Sequence, residues 1–158
     1  MTSRLSDFFR YNLWANLRLL DACAQLSDAQ LDATMIGTFG SVRETLVHMF
    51  SSEEGYMRSC TGISPTPQLK EFTTFPGFDA LRRRAERSGN ELIKVAEEQD
   101  LGRILHLDGG TYDAPVVIVL MQAVAHAIDH RSQIATLLSL QDVTSANVDV
   151  WDYNDAMR

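Results

Sequence analysis

Four separate stretches of this chain place apolar residues at alternating steps of three and four, which is the period of an α-helix with one buried face. In the first, about 3–26, Phe9, Leu13, Leu17, Leu20 and Ala24 carry the stripe. In the second, about 41–60, it is carried by Val42, Leu46, Met49, Phe50 and Met57. In the third, about 77–99, Phe78, Leu81, Ala85, Ser88, Leu92 and Val95 keep the spacing. The fourth, about 115–139, is apolar on most sides and is expected to be the most buried. Four such helices can bury their stripes only against one another, which predicts an all-α four-helix bundle.

The boundaries carry their own chemistry. Ser41-Val-Arg-Glu44 has the form of a capping box and should start the second long helix. Ser27-Asp-Ala-Gln30 has the same form and predicts a short extra turn. The stretch 61–76 holds three prolines and no clean period, so it reads as a long connection between the second and third long helices. ILHL and TYDA flank Asp108-Gly-Gly and predict a small hairpin before the fourth helix. Pro115 suits that helix's first turn. The tail from Val143 is expected to be too short for another packed element, with Trp151 and Tyr153 anchoring it.

With 158 residues the chain is expected to form one domain, 1–158, and to fold without staples. Its formal net charge of −7 argues against a nucleic-acid binder. No apolar run is long enough to cross a membrane, and MTSRLSDFFRYNLW lacks the pattern of a signal peptide. Cys23 and Cys60 have no framework spacing, which fits two reduced packing thiols in a cytoplasmic protein.

The histidines carry the strongest chemical signal. His126 and His130 lie four apart on a predicted helix, so their side chains share a face and can converge on one ion. Gln122, Asp129 and Gln133 flank them on an otherwise apolar helix, as the wall of a polar cavity would. His48 falls to one side of its helix's apolar stripe, beside Ser41, Thr45, Ser52 and Gly55, and completes a three-histidine site if the two helices are neighbours. No Glu follows His126, which argues against a zincin-type protease. His106, on the predicted hairpin, reads as a surface residue.

These residues resemble a known family. FFRYNLWANLRLL, GSVRETLVHMF around His48, AVAHAIDHRSQIATLL around His126 and His130, and VDVWDY are similar to the DinB/YfiT-like superfamily of metal-binding four-helix bundles. The resemblance implies that His48, His126 and His130 hold one divalent transition metal ion, zinc or nickel foremost, and that the chain forms a homodimer packed helix on helix. It also implies a small-molecule substrate. Relatives include thiol-dependent isomerases and S-transferases, and metal-dependent hydrolases.

Three neutral imidazoles leave such an ion its charge and an open position. There it can acidify a water, for hydrolysis, or a low-molecular-weight thiol, for S-transfer. The site chemistry leaves both open, and the resemblance alone favours thiol S-transfer as the expected function. The alternatives are a hydrolase and a non-enzymatic metal-binding or stress-response protein. Glu44, one turn before His48, is the candidate general base, set against a plain capping role with Ser41. Tyr11, Asn12, Trp14 and Asn16 are candidate pocket residues, with Trp14 also a candidate for the core. Arg131 should point away from the histidine pair into a structural ion pair.

Overall fold

The computed structural model describes residues 5–158, so the expected first-helix start at Ser3 lies outside the described residues. The four amphipathic stretches form the long helices α1 (Leu5–Cys23), α3 (Val42–Thr61), α4 (Phe78–Glu98) and α5 (Val116–Ser139). A short α2 (Asp28–Leu31) follows α1, and the hairpin β1 (Ile104–Leu107) and β2 (Tyr112–Pro115) precedes α5. Both predicted capping boxes form: Ser27 closes with Gln30, and Ser41 with Glu44. Gly62 ends α3 at φ 74°, a left-handed conformation that a side chain would strain. In the hairpin His106 faces Asp113 across the antiparallel pair, joined by a 2.7 Å hydrogen bond, and stays exposed as expected.

The helices pack in a ring: α1 on α4, α4 on α3, α3 on α5 and α5 on α1. Gly89 of α4 lets α1 come close, since a Cβ there would stand 2.8 Å from Leu13 Cδ1. Their apolar stripes build two core clusters. One gathers Leu19, Leu46, Phe50, Leu81, Ile134 and Leu138. The other gathers Phe9, Met57, Leu92, Leu105, Val116 and Leu120, so the hairpin closes that end of the bundle.

Between the two clusters in sequence order on every long helix stands a buried polar residue. Asn12 and Asn16 come from α1, Glu53 from α3, Ser88 from α4 and Arg131 from α5. Arg131 donates to Oδ1 of Asn12 and of Asn16, at 2.8 and 2.6 Å. The two amides in turn donate to Glu53, at 3.3 and 3.0 Å, and Ser88 donates to its other oxygen. Two amides therefore relay between a buried cation and a buried carboxylate. Arg131 does turn away from the histidine pair, but its partners are amides rather than a direct ion pair.

Two expectations are corrected here. Helix α5 is not the most enclosed helix. Ile118, Met121 and Ile128 stand exposed along it, because its apolar residues exceed what one buried face can use. The tail does form a further element, α6 (Val150–Ala156), capped by Asp149, which accepts from the Asp152 amide at 2.8 Å. Tyr153 anchors it edge-on to Tyr11 and Trp14, and Tyr11 donates to the Val148 carbonyl at 2.9 Å. Trp151 remains exposed and is no anchor.

Candidate metal centre

Helix α3 supplies His48 and helix α5 supplies His126 and His130. Because α3 and α5 are neighbours, the three rings meet. Their ligating atoms all lie within 4.8 Å of one another, and Nε2 of His48 stands 2.9 Å from Nε2 of His126. Two imidazole nitrogens that close need a proton or a cation between them. Nitrogens bonded to a common ion at ordinary metal–nitrogen lengths stand about 3 Å apart, so the donor set fits a divalent ion.

The far sides of two rings are fixed. Nδ1–H of His48 donates to Glu71 Oε1 at 2.7 Å, and Nδ1–H of His130 donates to Gln133 Oε1 at 3.1 Å. Both bonds leave Nε2 with the free lone pair, and in His48 that atom faces His126. Gln133 also accepts from the Phe39 amide at 3.0 Å. That bond brings the Phe39 ring flat against His48, 3.9 Å between centroids, and edge-on to His130. Tyr56 packs edge-on against His126. Burial, aided by the two neighbouring rings, pushes the His126 pKa down to about 4, and burial also lowers that of His130. Both rings therefore present unprotonated nitrogens near neutral pH.

Glu71 was not legible as a site residue. It lies in the proline-containing connection, which is tied down at two points. Arg84 of α4 donates to the Pro67 carbonyl at 2.8 Å, and the Leu69 amide donates to Glu54 of α3 at 3.4 Å. Glu44 takes a different place. Its carboxylate accepts from the Ser41 amide at 2.8 Å, and that cap holds its pKa below the usual range. Of the pocket candidates on α1, Asn12 and Asn16 belong to the buried polar layer, and Tyr11 and Trp14 face the tail. Trp14 is half-buried rather than core.

A cavity of about 710 Å³ adjoins the cluster: none of the three histidines lines it, but Glu71, bonded to His48, and Tyr56, packed on His126, do. Gln122, one turn before His126, and Ser52, one turn after His48, line it. Asp129 stays exposed and accepts a long 3.4 Å hydrogen bond from Gln133. Burial pushes the Cys23 and Cys60 thiols up to about 12 and about 11, which suits packing and not nucleophilic attack.

The model of the DinB family matches residues 1–157. The chain belongs to the DinB family. This DinB-family chain is 23% identical to Protein DinB of Bacillus subtilis (strain 168), with 92% of each chain covered. It also shares its fold with a DinB-like protein from Bacillus cereus ATCC 10987, at a TM-score of 0.70 and 18% identity, over 94% of this chain and 100% of the other. Among the described residues no helix is long and apolar enough to cross a membrane.

Proposed function

We propose that this protein is a metal-dependent enzyme that transfers a low-molecular-weight thiol to a small electrophilic substrate, with His48, His126 and His130 as ligands of one divalent ion, zinc or nickel. One observation carries the reading: three imidazoles from two helices converge, with Glu71 and Gln133 orienting two of them. When bound, the ion supplies a positive charge and an open position that favour the deprotonated form of a thiol or a water.

The protein's own groups do the rest. The Glu71 carboxylate holds His48 in the tautomer whose Nε2 is free, and makes that nitrogen more basic. Gln133 does the same for His130 without adding charge. Phe39 and Tyr56 cover ring faces and keep water from them. No fourth His, Cys, Asp or Glu among the described residues joins the cluster, which supports an open, reactive site over a closed structural one. The hydroxyls of Ser51, Ser52 and Ser59 and the amide of Gln122 give the cavity a polar wall suited to a hydrophilic thiol cofactor.

We also propose that a second copy of the chain covers the exposed stripe of Ile118, Met121 and Ile128 on α5, giving a helix-on-helix homodimer in the cytoplasm.

The deciding experiment is a turnover screen of the metal-loaded protein, pairing low-molecular-weight thiols with electrophilic acceptors and running esters and amides alongside. Thiol-dependent turnover that disappears in His48→Ala supports the proposal. Thiol-independent turnover of the esters or amides would replace transfer by hydrolysis. No turnover in either arm would leave a binding protein.

A further inference from the structure

The cavity carries two cations that holding an ion does not require. Arg58 and Lys70 both line it; both are exposed, and among the described residues neither side chain has an ion-pair or hydrogen-bond partner. Elsewhere Arg10, Arg43, Arg82, Arg84 and Arg158 each pair with a carboxylate, whereas Arg83 and Arg87, exposed on α4 and outside the cavity, do not. Of the two acidic residues in the lining, Glu71 is bonded to His48, and Asp108 sits on the hairpin turn. Neither comes within ion-pair distance of Arg58 or Lys70.

The floor of the cavity is also unusually open. Gly55 lies inside α3 at ordinary helical dihedrals, where glycine costs about 1 kcal/mol relative to alanine. Packing does not demand it. A Cβ at position 55 would meet nothing closer than Nη2 of Arg58, at 4.0 Å. What the missing side chain provides is room, in a cavity whose other α3 residues include Ser51, Ser52 and Ser59. The same contact shows that the Arg58 guanidinium folds back along α3 toward His48, as helical side chains do.

We infer that the cavity binds an elongated small molecule with a carboxylate at one end, held by Arg58 and Lys70, and its reactive end at the three histidines. His48 and Arg58 are ten residues apart on one helix, about 15 Å at Cα, and the guanidinium leans back over the gap, so the ligand spans roughly 10 Å. Arginine suits a carboxylate because its planar fork donates two parallel hydrogen bonds. A cavity of about 710 Å³ falls in the range of small-molecule sites. The assignment of the reactive end rests on the metal-centre reading above; that of the carboxylate end rests on Arg58, Lys70 and Gly55.

The test compares ω-mercapto-octanoate with ω-mercapto-octanol, which differ only in the charge of the far end, by calorimetry on metal-loaded protein. The acid is expected to bind about tenfold more tightly, a ratio worth ~1.4 kcal/mol. In the Arg58→Gln/Lys70→Gln double variant that ratio should fall to near one, with the alcohol's affinity unchanged. Gly55→Leu should weaken both probes while metal content stays at the wild-type level. Equal affinity for acid and alcohol, a preference that survives the double variant, or no binding of either probe would overturn the inference. Failure of the metal reading looks different: the wild type carries no metal and His126→Ala alters neither probe, while the acid-to-alcohol ratio can still be read.

Discussion

Nδ1 of His48 lies 2.7 Å from Oε1 of Glu71, twenty-three residues further along the chain. An exposed connection thereby orients a ring on a core helix. A glutamine there could still accept that bond, as Gln133 does for His130, so the test removes the acceptor. Glu71→Leu is expected to lower affinity for a divalent ion by about 10–100-fold, the usual effect of losing such a partner. Competition against a chromogenic chelator would measure it. Thermal stability of the metal-free protein should not change, because Glu71 is exposed.

Metal content itself should follow the three histidines. Purified wild type is expected to carry one ion per chain, and His126→Ala to lose most of it, by elemental analysis. Retention of full occupancy in that variant would sink the assignment. Removing the ion with a chelator should leave helical circular dichroism intact, since two apolar clusters hold the bundle without it.

The pKa shifts at His126 and Glu53 have opposite signs. The folded pKa of His126 is lowered to about 4 from 6.5, so the unfolded chain binds its proton first. Metal-free protein should therefore lose stability as pH falls from about 6.5 towards about 4, a trend that His126→Ala should flatten. Burial pushes Glu53 up to about 7 from 4.5. Its contribution is fully present below 4.5 and is lost as pH rises through about 7. Relative to Glu53→Gln, the wild type should thus weaken across that window, by at most about 3 kcal/mol at roughly 1.4 kcal/mol per unit. Urea unfolding at several pH values would reveal both trends.

Asn16→Leu tests the polar layer. It removes a donor to Glu53 and an acceptor from Arg131 at once, leaving two buried groups short of a partner. A loss of about 3 kcal/mol in unfolding free energy is expected. A neutral result would show that the two groups find other partners at no net cost.

The stripe on α5 predicts a change in assembly. Met121→Glu with Ile128→Glu should convert a dimer to a monomer in light scattering, with helical content preserved, because both side chains are exposed. A wild type that is already monomeric would remove the proposed second copy.

Much of this arrangement is legible from residue order. The three-four spacing around Leu46 or Leu92 marks a helix, the serines at 27 and 41 mark where helices begin, and Asp108-Gly-Gly marks the hairpin. The pair at 126 and 130 announces a shared face through local spacing alone. What stays hidden depends on tertiary contacts. Nothing near Glu71 is periodic, and its location follows from Arg84 reaching Pro67 and Glu54 receiving the Leu69 amide. The burial of Glu53 is equally invisible in a Glu53-Glu54 pair, although Asn12 and Asn16 four apart on α1 hint at a polar seam. Periodicity also overstates the burial of α5, because an apolar face reads alike whether it meets a core or solvent.

The bundle supplies the histidines, yet the outer side of the cavity is built from two connectors: the proline-containing segment with Lys70 and Glu71, and the hairpin with Leu107 and Tyr112. Exchanging residues in these connectors leaves the helix–helix contacts as they are. A lineage built on this frame can thus respecialise towards new molecules by rewriting a few surface positions, while its fold tolerates the experiment.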